Sequence, residues 1–138
     1  MENFEEEMKK FRKEKEIENH KTIILLIEAY KEDAEENLEE YKKNLEKFSK
    51  IFKEKKEELQ TLNETKNSYL KRNNLTNIEL EKAKDIVAEI IDVQDTIEKS
   101  EKEINELNKK IKELEIKIEP MKINIRERKE ELKKILSN

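Results

Sequence analysis

The single histidine, His20, stands in "EKEIENHKT" among glutamates, and a lone imidazole can serve as a general acid or base or as one ligand of a metal. Zinc needs further His or Cys ligands, and the chain has neither a second histidine nor a cysteine. A di-iron bundle needs Glu-x-x-His pairs, which are also lacking. His20 is therefore expected on the surface. The hydroxyls of Ser49, Ser68, Ser100 and Ser137 have no base near them in sequence that could raise their nucleophilicity. With no glycine in the chain, a P-loop or dinucleotide fingerprint cannot be built. Carboxylates are abundant, but on helices they spread over solvated faces rather than converge in a desolvated pocket. These readings predict a protein that is not an enzyme, with no cofactor, no metal and no small-molecule substrate.

Residues 42–56, "KKNLEKFSKIFKEKK", carry seven lysines and two glutamates. With Tyr41, Phe48 and Phe52 interleaved, they give the one pattern that suggests nucleic acid, through phosphate contacts and base stacking. The aromatics, however, fall on a helical seam, and the lysines have an acidic counterpart elsewhere in the chain. A nucleic-acid-binding rod is thus the alternative reading, and nucleic acid is not the partner expected.

The elements that carry these residues follow from composition. Of 138 residues, 48% are charged and 33% hydrophobic, with one proline and no glycine, which suits long solvated helices burying a narrow seam. The longest apolar run, Ile23–Ile27, is far short of the roughly 20 residues that span a bilayer. The start, "MENFEEEMKK", is acidic where a signal peptide would be basic. No membrane is expected as a partner, and an intracellular protein, cytoplasmic or nuclear, is. The net charge of −4 provides no overall attraction to nucleic acid or anionic lipid.

Stepping by seven from Ala83 gives Ile90, Ile97, Ile104, Ile111, Ile118, Ile125 and Leu132. Offset by three lie Ile86, Val93, Ser100, Leu107, Leu114, Met121, Arg128 and Ile135. This is a heptad pattern in one unbroken phase, with isoleucine dominant at a. The earlier half alternates likewise through Leu38, Tyr41, Leu45, Phe48, Phe52, Lys55, Leu59, Leu62, Lys66 and Tyr69. Upstream, Ile23, Ile27, Tyr30 and Ala34 join that seam through four-residue steps, which predicts a stutter. Lys55, Lys66, Ser100 and Arg128 interrupt the seams, either snorkelling past them or fixing register.

Between the arms, "KRNNLTNIELEK" loses the rhythm. Thr76 and Glu79 form a capping box and Leu75 and Leu80 a hydrophobic staple, so a helix starts there. Asn73 or Asn74 is expected in the left-handed conformation that ends the preceding helix. Charge decides between fold-back and a parallel homodimer. In a parallel pair, residues 42–56 would face their own copy; in a fold-back where residue i lies near 149 − i they face 93–107, which hold five acids and two lysines. The expected fold is all-α: a long antiparallel coiled-coil helical hairpin with a short N-terminal helix, kinked near Pro120. Its parts are an N-terminal segment 1–20, a first arm 21–73, a turn 74–76 and a second arm 77–138.

Apolar residues off the seam mark where a partner binds. Ile24, Leu25 and Leu26 of one arm and Ile116, Pro120 and Ile123 of the other lie at one level near the open end, and Val87 and Ile91 offer a secondary patch near the turn. Pro120 removes the hydrogen bond to the Ile116 carbonyl and should bend or break the arm. Asn3 and Glu6 can cap a short helix bearing Phe4, Met8 and Phe11, which could instead cover the open-end patch. The function expected is a structural adaptor, a subunit of a larger coiled-coil assembly of the cytoskeletal or chromosome-associated type. Its partner is expected to be a protein, either a second copy or another coiled-coil protein.

Overall fold

A chain rich in Glu, Lys and Leu and without glycine has little to stop a helix once one has started. The computed structural model, which describes residues 2–138, accordingly holds two helices, α1 over Glu2–Leu70 and α2 over Asn77–Ser137, and no strand among the described residues. The helices pack as two units, one joining α1 up to Glu40 with Ile111–Asn138, the other comprising Tyr41–Lys110.

Within each unit the helices run antiparallel. In the first, the His20 side chain reaches Glu131, and Glu28 meets Lys129 at 3.0 Å. In the second, Lys110 Nζ lies 5.6 Å from the Tyr41 ring centre. Residues 20 with 131 and 41 with 110 give a level of 151 − i, whereas Glu28 and Lys129 meet from levels six residues apart through two long side chains. The register of 149 − i expected from sequence is therefore displaced by two residues. α1 also ends earlier than expected, at Leu70 rather than at 73.

The turn is built by its side chains. Thr76 caps α2: its Oγ1 accepts from the Glu79 amide at 3.2 Å, while Glu79 Oε1 accepts from the Thr76 amide at 3.4 Å and from its hydroxyl at 3.0 Å. Arg72 adds an ion pair to Glu79 and lies over the Tyr69 ring. The Thr76 hydroxyl, then the Arg72 guanidinium, holds the Glu79 carboxyl below its ordinary range. The left-handed asparagine expected here does not occur, since no non-glycine residue among those described has positive φ. Arg72 N–H bonds the Tyr69 carbonyl at 3.1 Å, closing α1 with a tight turn instead, and residues 71–76 suffice to reverse the chain.

Further expectations are corrected or narrowed. The short N-terminal helix is no separate element: α1 runs from Glu2 without a break, because "RKEKEIENHKT" contains no residue that terminates a helix. Phe4 and Phe11 are exposed, so among the described residues nothing from this segment folds back over Leu25 or Ile123. Pro120 does not break α2, which is continuous through it. The stutter is also absent. In the first unit, α1 turns Ile17, His20, Ile24, Ile27, Lys31, Ala34 and Leu38 inward, an uninterrupted alternation of three and four, while Tyr30 is exposed.

Burial in α2 follows the same rhythm. Every position of the two heptad series from Ala83 to Ile135 is buried or half-buried, with Ile90, Val93 and Leu107 the most enclosed apolar residues in the second unit and Ile111, Ile118 and Ile125 in the first. Each such side chain contributes about 1.5–3 kcal/mol when fully removed from water. Ile97, Ile104, Leu114 and Met121 are half-buried, as are Tyr41, Leu45, Phe48, Phe52, Leu59 and Leu62 of α1. Ser100 is the one buried polar residue among those described, and it is the seam position nearest the level of Phe52, so a small residue lies where the other helix brings a large ring.

Candidate protein-interaction surface

A helix advances about 100° per residue, so the buried series fixes where every other side chain points. Counting a from Ile17 in α1 and from Ala83 in α2, positions b, c and f face away from the paired helix. Ile116 and Ile123 fall at f, and Pro120 at c, all exposed on the outward face of α2. Leu25 and Leu26 fall at b and c on the outward face of α1 and are 66% and 54% exposed.

The open-end residues thus share a level but not a surface. The leucines and the isoleucines look in opposite directions from the pair, which divides the expected single patch into two. Ile24 leaves the patch altogether, since it is a seam residue buried to 7% exposure. Sequence reasoning had displaced it by preferring Tyr30 over Lys31 for the inward position. Lys31 stays half-buried with its ammonium 3.8 Å from Glu35, which lets its stem line the seam.

The secondary patch is larger than expected. Val87 and Ile91 are exposed on one side of α2, Leu80 precedes them on that side by one heptad, and Leu70 ends α1 at the same level with 72% exposure. From sequence, Leu80 has only a role in the staple at the turn and Leu70 has none. The signal that could have found Leu80 is the same seven-residue step applied off the seam, which joins it to Val87.

His20 is not on the surface. It occupies a seam position with its side chain 13% exposed; Nε2 lies 3.9 Å from Glu131, and Nδ1 is buried without a hydrogen-bond partner among the described residues. No group of three or more His, Cys, Asp or Glu side chains among the described residues is arranged to hold a metal ion.

The basic segment is turned partly inward. Tyr41, Phe48 and Phe52 are half-buried, with Lys110 over the Tyr41 ring and Lys56 Nζ 4.7 Å from the centre of Phe52. Lys55 bonds Glu58 on its own helix, and in the facing segment Lys99 pairs with Asp95, an interaction that raises the lysine pKa. Lys43, Lys47 and Lys50 are exposed on the outward side. No described helix is long and apolar enough to cross a membrane.

No family model matches the sequence, and no curated protein and no solved structure matches it either.

Proposed function

We propose that the chain is a non-enzymatic coiled-coil structural or adaptor protein, a subunit of a larger coiled-coil assembly of the cytoskeletal or chromosome-associated kind. The observation that carries this reading is the division of its apolar residues. The heptad series of both helices are spent on each other, yet Leu25 with Leu26, Ile116 with Ile123, and Leu80 with Val87 and Ile91 remain exposed outside them. Apolar side chains spaced by a turn or two on an outward helix face suit the docking of a further helix. In this reading the seam packs knobs into holes. Pro120 bends α2 beside the Ile116–Ile123 face, since its ring excludes the Ile116 carbonyl from the usual hydrogen bond.

The nucleic-acid alternative is less well supported, because the aromatics that would stack on bases are half-buried, and two of them, Tyr41 and Phe52, have a lysine over the ring. Phosphate contacts through Lys43, Lys47 and Lys50 are what remains to it, and these predict binding that collapses with added salt. The discriminating experiment captures partners from cell extract with wild type, Leu25→Glu and Ile123→Glu, followed by measurement of complex mass. Loss of a protein partner by one variant, insensitive to nuclease, is expected. An unchanged partner set and mass in both variants, or salt-sensitive binding to DNA or RNA as the only association, overturns the reading.

A further inference from the structure

The two outward patches of the first unit differ in the charges around them. On α1, the b, c and f positions flanking Leu25 and Leu26 include Glu18, Glu32, Asp33 and Glu36, all exposed. A second copy of that face would bring acid against acid. On α2, Ile116 and Ile123 are bracketed by Lys112 at b with Glu113 at c, and by Arg126 at b with Glu127 at c, all exposed. Each end of this face therefore carries one cation on its left flank and one anion on its right.

When two identical helices pack on such a face, orientation decides which flanks meet. In an antiparallel pair b meets b and c meets c, so Lys112 would approach Arg126 and Glu113 would approach Glu127. In a parallel, in-register pair b meets c, so Lys112 lies beside Glu113 of the other copy and Arg126 beside Glu127, on both sides of the contact. Ile116 and Ile123 each meet themselves at its centre. The b and c positions here play the part that e and g play beside a coiled-coil seam, where charge sets partner and direction.

From this arrangement we infer that the chain forms a homodimer through the outward face of α2, parallel and in register, with Ile116, Pro120 and Ile123 at its centre. This deepens the adaptor reading by naming a second copy of the chain as the occupant of one of its faces. Pro120 sits within the contact at c, where its missing N–H costs nothing to the partner. Because only two isoleucines per copy are buried, the dimer is weak and reversible, and its flanking ion pairs make it weaken with salt.

Sedimentation equilibrium over a wide concentration range, at low and at high salt, tests the inference on the full chain. A monomer–dimer equilibrium that shifts to monomer in salt is expected, and Ile116→Glu with Ile123→Glu should abolish it while circular dichroism stays unchanged. Lys112→Glu with Arg126→Glu should raise the Kd by about tenfold, the scale of several surface pairs turned from attractive to repulsive. Adding Glu113→Lys with Glu127→Lys in the same chain should restore it. An Ile123→Cys variant, in a chain otherwise free of cysteine, should form its disulfide across the dimer. Wild type that stays monomeric at low salt overturns the inference, as does a dimer unaffected by Ile116→Glu with Ile123→Glu, or charge variants without rescue. The adaptor reading falls separately, by the capture experiment with Leu25→Glu and Ile123→Glu.

Discussion

Replacing His20 by leucine should stabilise the protein. The side chain stands at a seam position, 13% exposed, between Ile17 and the buried Ile24, and its Nδ1 is buried with no hydrogen-bond partner among the described residues. An unsatisfied buried polar group costs about 1–3 kcal/mol. Against this, His20→Leu gives up an approach of 3.9 Å to Glu131, whose side chain is 66% exposed. A pair so open to solvent is worth at most about 1 kcal/mol, and only with the imidazole protonated. Leucine has slightly higher helix propensity and a similar reach. The balance is a gain of about 1–2 kcal/mol. Urea unfolding followed by circular dichroism at neutral pH should show a higher midpoint with an unchanged slope, since the area exposed on unfolding hardly alters. An unchanged or lower midpoint would refute the reasoning, because it would mean that His20 is satisfied or solvated where the seam is described as closed.

The cap at the turn predicts that Thr76→Ala costs about 1 kcal/mol in the same assay. Since the folded-state pKa of Glu79 is lowered, the stability it adds is present above the ordinary carboxylate range and is lost as pH falls through its depressed value, so Thr76→Ala should flatten that acid limb. Ser100→Leu should destabilise by about 1–3 kcal/mol, for the position is buried and faces the level of Phe52, where added volume cannot be accommodated without strain. Pro120→Ala should stabilise α2 by up to about 3 kcal/mol by restoring the bond to the Ile116 carbonyl; a neutral result would mean that the helix absorbs the proline without a bend.

The heptad series of α2 was fully legible because apolar residues occupy nearly all of its inward positions, from Ile86 to Ile135. The same series in α1 was legible only from Leu38 onward. Upstream, Lys31 and His20 hold inward positions, and a rule that demanded apolar residues chose Tyr30 and invented a stutter. Stepping back by seven from Leu45 and Leu38 reaches Lys31, Ile24 and Ile17 without any irregularity. The capping box of Thr76 and Glu79 could be read directly, as side-chain chemistry at fixed spacing usually can. The end of α1 could not, and neither could the register, which lies two residues from the one expected. Exposure of Leu25, Leu26, Ile116 and Ile123 was also readable. Their facing was not, because matching levels along two helices says nothing about direction around each axis.

The antiparallel pairing of α1 and α2 within one chain is tested most directly by cysteines at Lys55 and Thr96. These residues line one cleft of the second unit and share a level in the 151 − i register. Because the native chain has no cysteine, Lys55→Cys with Thr96→Cys introduces the only pair of thiols. Oxidation at low protein concentration should give a monomeric, faster-migrating species in non-reducing electrophoresis. Exclusive formation of covalent dimers, and a Lys55→Cys single variant that crosslinks as readily to its own copy, would contradict the hairpin.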